Sequence, residues 1–61
     1  MKQQQLKIEL LSVKQVANML NVSSKTVRRM IVRCELNHHR VGRVVRISSE
    51  DLRAYTNSIR Q

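Results

Sequence analysis

The stretch "VANMLNVSSKTVRRMI" (residues 16–31) decides the fold, because it holds two helical patterns that are only a few residues apart. Apolar residues recur at helical spacing up to Leu20, and Ser23 is placed to begin the next helix. Only Asn21 and Val22 lie between them, so the chain must turn sharply there. Asn tolerates the left-handed backbone that such a turn requires.

The side chains around this turn predict how the two helices pack. We expect Val22 to point inward and fill the angle between the helices, and the small Ala17 to let them approach closely. This is the spacing of a helix-turn-helix, whose second helix enters the major groove of DNA. An ordinary αα-corner without a DNA role would bury the same residues and is the alternative.

A short pattern that occurs three times predicts where the helices begin: an apolar residue, a Ser, three residues and another apolar residue. The copies are "LSVKQV" (11–16), "VSSKTV" (22–27) and "ISSEDL" (47–52). In each, the Ser hydroxyl can accept a backbone N–H of the first turn, and Gln15 and Asp51 can complete capping boxes. The apolar sets that follow are Val13, Val16, Ala17 and Leu20; then Val27, Met30, Ile31 and Cys34; then Leu52, Tyr55 and Ile59.

Between the second and third helices, "NHHRVGRVVRI" (37–47) predicts a short β-hairpin, because it is rich in β-branched residues around a lone glycine. Gly42 and Arg43 suit a type II′ turn, and a longer loop with a bulge is the alternative. The pattern leaves the strand register open. We therefore expect a mainly α fold with a small β-hairpin, a winged helix-turn-helix in the order helix, helix, hairpin, helix, with a further short strand at 6–10 as an option. Residues 1–7 are expected to form a flexible tail, and 8–61 a single domain.

The amount and distribution of positive charge indicate what kind of partner the protein binds. The chain carries a formal net charge of +8, and between residues 23 and 46 seven cations face one anion, Glu35. One-signed clustering destabilises a compact state by self-repulsion, so a polyanionic partner explains it better than solubility does. As that partner, nucleic acid is favoured over a membrane surface. No apolar run in the sequence reaches the roughly 20 residues of a membrane span. The single Cys34 excludes an intrachain disulfide and suits a reducing cytoplasm.

The second helix and the hairpin each present cations outward. On a helical wheel Lys25 and Arg29 lie opposite the apolar stripe, and Arg28 and Arg33 flank them. The free N–H groups beside Ser23 suit a phosphate, and arginine pairs with guanine. A hairpin after such a helix occupies the position of a wing, where Arg can reach phosphate or a narrow minor groove. A solvated hairpin is the alternative for any single Arg.

From about residue 11 to 59 the chain resembles the excisionase family of small winged helix-turn-helix proteins, which are related in fold to the MerR type. The matching pieces are "LLSVKQVANMLNVSSKTVRRMI", "EL" at 35–36, "RVGRVVRI" and "SSEDLRAY". Three positions depart from the family pattern: Cys34 replaces a Gly, Asn37 a frequent Pro and Val45 a bulky aromatic. The resemblance implies that Ser24, Lys25, Thr26, Arg28 and Arg29 lie in the recognition helix and that Gly42 and Arg43 form the wing turn.

The candidate DNA-contacting residues follow from both lines of reasoning. They are Ser23, Ser24, Lys25, Thr26, Arg28, Arg29 and Arg33 in the recognition helix, and Arg40, Gly42, Arg43 and Arg46 in the wing. The resemblance implies a protein that binds and bends double-stranded DNA beside an attachment site, so that a tyrosine or serine recombinase (an integrase) excises a phage or mobile element. Some relatives regulate transcription, and others are DNA-binding domains of larger proteins. Cooperative self-association on DNA is left open, and the expected location is the cytoplasm, on the nucleoid.

Other chemistry finds little support in the sequence. Cys34, His38 and His39 are too few for a tetrahedral zinc site, so we expect no metal and no cofactor. Glu50 and Asp51 suit the first turn of a helix rather than a catalytic pair, and we expect no enzymatic activity. Two rival functions are an RNA-binding module, which usually needs aromatic stacking platforms, and a protein-interaction domain that meets an acidic partner.

Overall fold

The computed structural model describes residues 9–59, which form three helices and a small sheet. In chain order the elements are β1 (Leu10–Leu11), α1 (Val13–Leu20), α2 (Ser24–Val32), β2 (His39–Val41), β3 (Val44–Ser48) and α3 (Ser49–Ile59). The predicted order of helix, helix, hairpin, helix is confirmed. The optional strand at 6–10 overlaps β1 only at Leu10, and residues 6–8 lie outside the described residues, as does the predicted tail at 1–7.

All three helices begin at the serines that the repeated pattern indicates. The hydroxyls of Ser12, Ser23 and Ser48 each accept the backbone N–H three residues later, at 3.0 Å. The capping box of α1 is complete, because the side chain of Gln15 also accepts the N–H of Ser12 at 2.9 Å. These bonds satisfy N–H groups that a helix leaves without an internal acceptor.

The predicted capping box of α3 is incomplete. The carboxylate of Asp51 does not return to Ser48, but lies 3.2 Å from Nε2 of His39 at the start of the hairpin. This contact links α3 to the wing, and it engages the carboxylate that the capping box would have used.

Helix α1 ends at Asn21, which adopts the left-handed conformation predicted for the turn, with φ of 59°. The N–H of Asn21 donates to the carbonyl of Asn18, and the N–H of Val22 donates to that of Ala17 at 2.9 Å. These two bonds are those of a Schellman motif, which satisfies the last carbonyls of the helix while reversing the chain.

Helix α2 ends in the same way, but around a residue less suited to it. Cys34 has φ of 62°, its N–H donates to Ile31, and the N–H of Glu35 donates to Met30 at 2.9 Å. A Cβ in the left-handed region is strained, which is why glycine is preferred there. Immediately after this reversal Leu36 enters the core, where only 1% of its surface is exposed.

The core lies between α1, α2 and the sheet. Its buried members are Leu11, Val16, Ala17, Val27, Met30, Leu36, Ile47 and Leu52. Val16 and Val27 have no exposed surface, and burial of side chains of this size contributes about 1.5–3 kcal/mol each. Ala17 is buried as expected, and Tyr55 of α3 packs partly against this cluster.

Val22, which we expected to point inward, is exposed, and so are Cys34 and Ile59, which belong to the apolar sets at helical spacing. Val22 is 39% exposed and does not fill the angle between the helices, because its N–H is tied to the end of α1 and the core residues of both helices already meet. Cys34 is exposed, since α2 ends at Val32 and the helical spacing does not extend to it. Ile59 is exposed because it is the last residue of α3, whose contacts with the core come earlier, at Leu52 and Tyr55.

Strand β3 is central in the sheet, between β1 and β2, and both pairings are antiparallel. Val41 pairs with Val44, so the hairpin turn contains only Gly42 and Arg43, which excludes the longer bulged loop. Gly42 has φ of +63° and Arg43 is not in the positive region, which confirms the type II′ turn. The register also places Val45 and Ile47 on the face that packs against the core.

Replacing Cys34 by Gly should stabilise the domain by about 1 kcal/mol, because it removes a Cβ from a left-handed residue. For a domain of this size that corresponds to a melting temperature about 4–8 °C higher. Thermal unfolding under reducing conditions measures the effect. Cys34→Ala is the matched control, since it removes the thiol but keeps the Cβ, and should leave stability near that of the wild type. Equal melting temperatures for the Gly and Ala variants would contradict this account of the turn.

Candidate nucleic-acid interface

The first turn of α2 holds the polar residues of the predicted recognition helix. The hydroxyls of Ser23 and Thr26 lie 3.0 Å apart, so both take part in the cap as well as facing the helix start. Ser24 is half-buried, and Lys25 is exposed. The cap leaves the first N–H groups of α2 without an internal acceptor, which makes this end suited to an anion.

The cations of α2 point away from the core because Val27 and Met30 are buried beneath them. Lys25, Arg28 and Arg29 are exposed, and their side chains form no hydrogen bond or ion pair with another described residue. Their charges are therefore available to a partner.

Arg33 is placed differently from the other α2 cations. It follows the last residue of the helix, roughly 12 Å along the axis from Lys25 at 1.5 Å per residue. Its guanidinium lies 3.8 Å from Glu35, in a pair whose side chains are 65% and 45% exposed. Such a pair contributes little to stability, so Arg33 is a solvated cation at the far end of the helix.

The wing carries three arginines in three different environments. Arg43 is exposed at the turn, beside Gly42, and Arg40 is exposed on the edge strand β2. Arg46 on β3 is half-buried, and its Nη1 donates to the carbonyl of Val45 at 2.8 Å. Arg43 thus lies at the tip of the hairpin, and Arg46 is the arginine of the three that is half-buried and hydrogen-bonded.

A cleft of about 410 Å³ joins the recognition helix to the wing. Arg28 lines it from α2, and Arg43 and Arg46 line it from the hairpin. Lys25, Arg29, Arg33 and Arg40 lie outside this cleft. Arg28 is exposed and also lines the cleft, so it belongs both to the concave surface and to the outward side of α2. The other predicted cations of α2 lie only on that outward side, and Arg40 lies on the edge strand.

Sequence reasoning missed two residues that lie near these cations. Lys14 of α1 is a fourth cation lining the cleft, and Val32, 80% exposed, lies on the outward side of α2 near Arg28 and Arg29. The helical wheel of α2 could have revealed Val32, because it falls opposite Met30. Lys14 had no such signal, since only the tertiary packing brings the start of α1 beside the wing.

The histidines and the thiol do not converge. His39 contacts Asp51, whereas Cys34 is exposed at the end of α2. Within residues 9–59 no three His, Cys, Asp or Glu side chains come together in a way that could hold a metal ion. None of the described helices is long and apolar enough to cross a membrane.

A family model described as a helix-turn-helix domain matches residues 10–60, which is most of the chain. No curated protein matches the chain, and no solved structure does. The matched range includes all three helices and all three strands described above. The chain belongs to the excisionase-type helix-turn-helix family and is a DNA-binding helix-turn-helix protein.

Proposed function

We propose that the protein is a sequence-specific double-stranded DNA-binding protein that acts as an excisionase, a recombination directionality factor. It binds and bends DNA and thereby directs an integrase toward excision of a phage or mobile element. The observation that carries this proposal is the shared cleft, in which Arg28 of α2 lies beside Arg43 and Arg46 of the wing. Because α2 and the wing are both basic and border the same cleft, they can contact two adjacent grooves of one DNA duplex at the same time.

Base recognition is assigned to the outer face of α2. An α-helix fits the major groove, and the exposed Arg28 and Arg29 project from the side opposite the buried Val27 and Met30. Arginine is the commonest side chain in bidentate contact with guanine. Ser23, Ser24, Lys25 and Thr26, at the start of the helix, suit phosphate contacts that fix its position.

The wing is assigned to the neighbouring backbone or minor groove. Arg43 projects from a two-residue turn, and the exposed pair Val41 and Val44 flanks it. Arg40, Arg46 and Gly42 complete this surface. A cation in a narrow minor groove favours DNA that is bent, which is the deformation an architectural factor needs. Arg33 is assigned a weaker backbone contact, because it lies at the far end of α2.

The biological role is the finer part of the proposal. An excisionase would work beside a tyrosine or serine recombinase, on nucleoid DNA in the cytoplasm, with copies assembling side by side where sites are adjacent. The alternative is a small transcriptional regulator, or the DNA-binding domain of a larger protein. The same basic surfaces support either of these roles equally well. The position of the binding site relative to other DNA elements separates these roles.

Arg28→Ala and Arg29→Ala should each lower the ratio of specific to non-specific DNA affinity by roughly 5- to 150-fold, the range expected when one bidentate interaction with a base is removed. Arg43→Ala is the matched control, because removing a backbone interaction of the wing weakens both affinities nearly alike. Titration of each variant with specific and random duplexes measures the ratio. If both helix variants keep the wild-type ratio, α2 is not the recognition helix.

Footprinting on the DNA that flanks the protein's own gene tests the role. An excisionase should protect sites beside a recombination attachment site, and circularly permuted fragments carrying one such site should migrate as bent DNA. The Arg43→Ala variant should reduce the bend at saturating protein. Protection of a promoter alone, with no bend and no attachment site nearby, would instead establish the transcriptional role.

A further inference from the structure

We propose that the cleft between the start of α1, helix α2 and the wing is a sugar–phosphate site that holds one backbone unit of bound DNA. Lys14 of α1 is then a DNA-contacting residue in addition to those of the recognition helix and wing. This inference rests on the proposed DNA-binding mode and adds a third element to it.

The first support is the sign of the charge. Lys14, Arg28, Arg43 and Arg46 come from different elements and line one cleft, and no acidic side chain is among its lining residues. Two described carboxylates lie beside basic side chains elsewhere, Glu35 beside Arg33 and Asp51 beside His39. Four cations around one concavity repel each other, and an anion in the cleft would relieve that repulsion.

The second support is that one of these cations is already held in place. Arg46 is half-buried, and one of its guanidinium nitrogens donates to the carbonyl of Val45 at 2.8 Å. A guanidinium has five N–H donors, so most of them stay available. A donor that is fixed before binding loses less conformational entropy when it takes a phosphate.

The third support is the apolar part of the cleft. Val13, Val44 and Val45 line it together with the cations, so its surface is mixed rather than purely polar. Its volume of about 410 Å³ lies in the range of clefts that hold small organic molecules. A deoxyribose with its phosphate offers both an apolar and an anionic part, whereas a free phosphate ion offers only the second.

The position of the cleft fits the same ligand. If α2 occupies the major groove and the wing contacts the adjacent minor groove, the sugar–phosphate backbone that separates the two grooves must pass between them. The cleft lies there, between Arg28 of α2 and Arg43 of the wing, and Lys14 reaches it from α1. The backbone would thus be contacted from three sides.

Lys14→Gln tests the assignment, with Arg53→Gln as the control. Both variants remove one positive charge from an exposed residue, but Arg53 lies on α3 and does not line the cleft. The slope of log affinity against log salt for duplex DNA should fall by about 1 for Lys14→Gln and stay near the wild-type value for Arg53→Gln. Thermal melting of both variants should match the wild type, because both residues are exposed.

A second measurement identifies the phosphate. In a set of duplexes, one phosphate at a time is replaced by a neutral methylphosphonate. Several of these replacements should lower the affinity of the wild-type protein. At one of those positions the replacement should not lower the affinity of Lys14→Gln, because that variant already lacks the contact. If wild-type protein binds duplex DNA but Lys14→Gln and Arg53→Gln give the same slope and the same methylphosphonate profile, the cleft assignment is overturned and the DNA-binding mode stands. If the wild type shows no preference for duplex DNA, the proposed function fails first.

A free deoxynucleoside monophosphate forms the last arm of the test. We expect the mononucleotide to bind the wild type weakly, at millimolar concentration, and Lys14→Gln more weakly still. The Lys14-dependent methylphosphonate position in the duplex should be observed as well. Tight binding of the mononucleotide with no Lys14-dependent position in the duplex would instead make the cleft a small-molecule site, and would overturn its assignment to the DNA backbone.

Discussion

The packing of α2 on α1 is the contact on which the other surfaces depend. Val16 and Val27 are completely buried where the helices meet, and Ala17 beside them is small enough for the helices to come close. This contact fixes the rotation of α2 about its axis, so Arg28 and Arg29 point outward together. A small domain has few such side chains, and loss of one large buried side chain costs roughly 2–5 kcal/mol, a large share of the total stability.

The chain accepts two features that are unfavourable for stability. Cations from α1, α2 and the wing converge without a compensating carboxylate, and α2 ends on a left-handed cysteine. The first feature suits a polyanionic partner, whose phosphates would offset the repulsion. The second reverses the chain so that Leu36 fills the core, at the cost of backbone strain that a glycine would avoid. Both features lower stability, and the proposed DNA contact accounts for the first of them.

Local signals in the sequence predicted most of the fold, because they describe hydrogen bonds over three or four residues. The serines that cap each helix, Asn21 at the turn and Gly42 in the hairpin all lie where the pattern indicated. Val22 and Cys34 were misplaced because their burial depends on where a helix ends and how the chain leaves it. Lys14 was missed for a related reason, since its approach to the wing is a property of tertiary packing alone.

The most direct test of the central claim, that α2 and the wing approach DNA together on one side, is an NMR titration of the protein with duplex DNA. The account predicts that the backbone amides of residues 24–29 and 42–46 shift together as one binding event, while those near Ile59, at the far end of α3, stay unchanged. Shifts concentrated in α3, with the first turns of α2 unaffected, would contradict it.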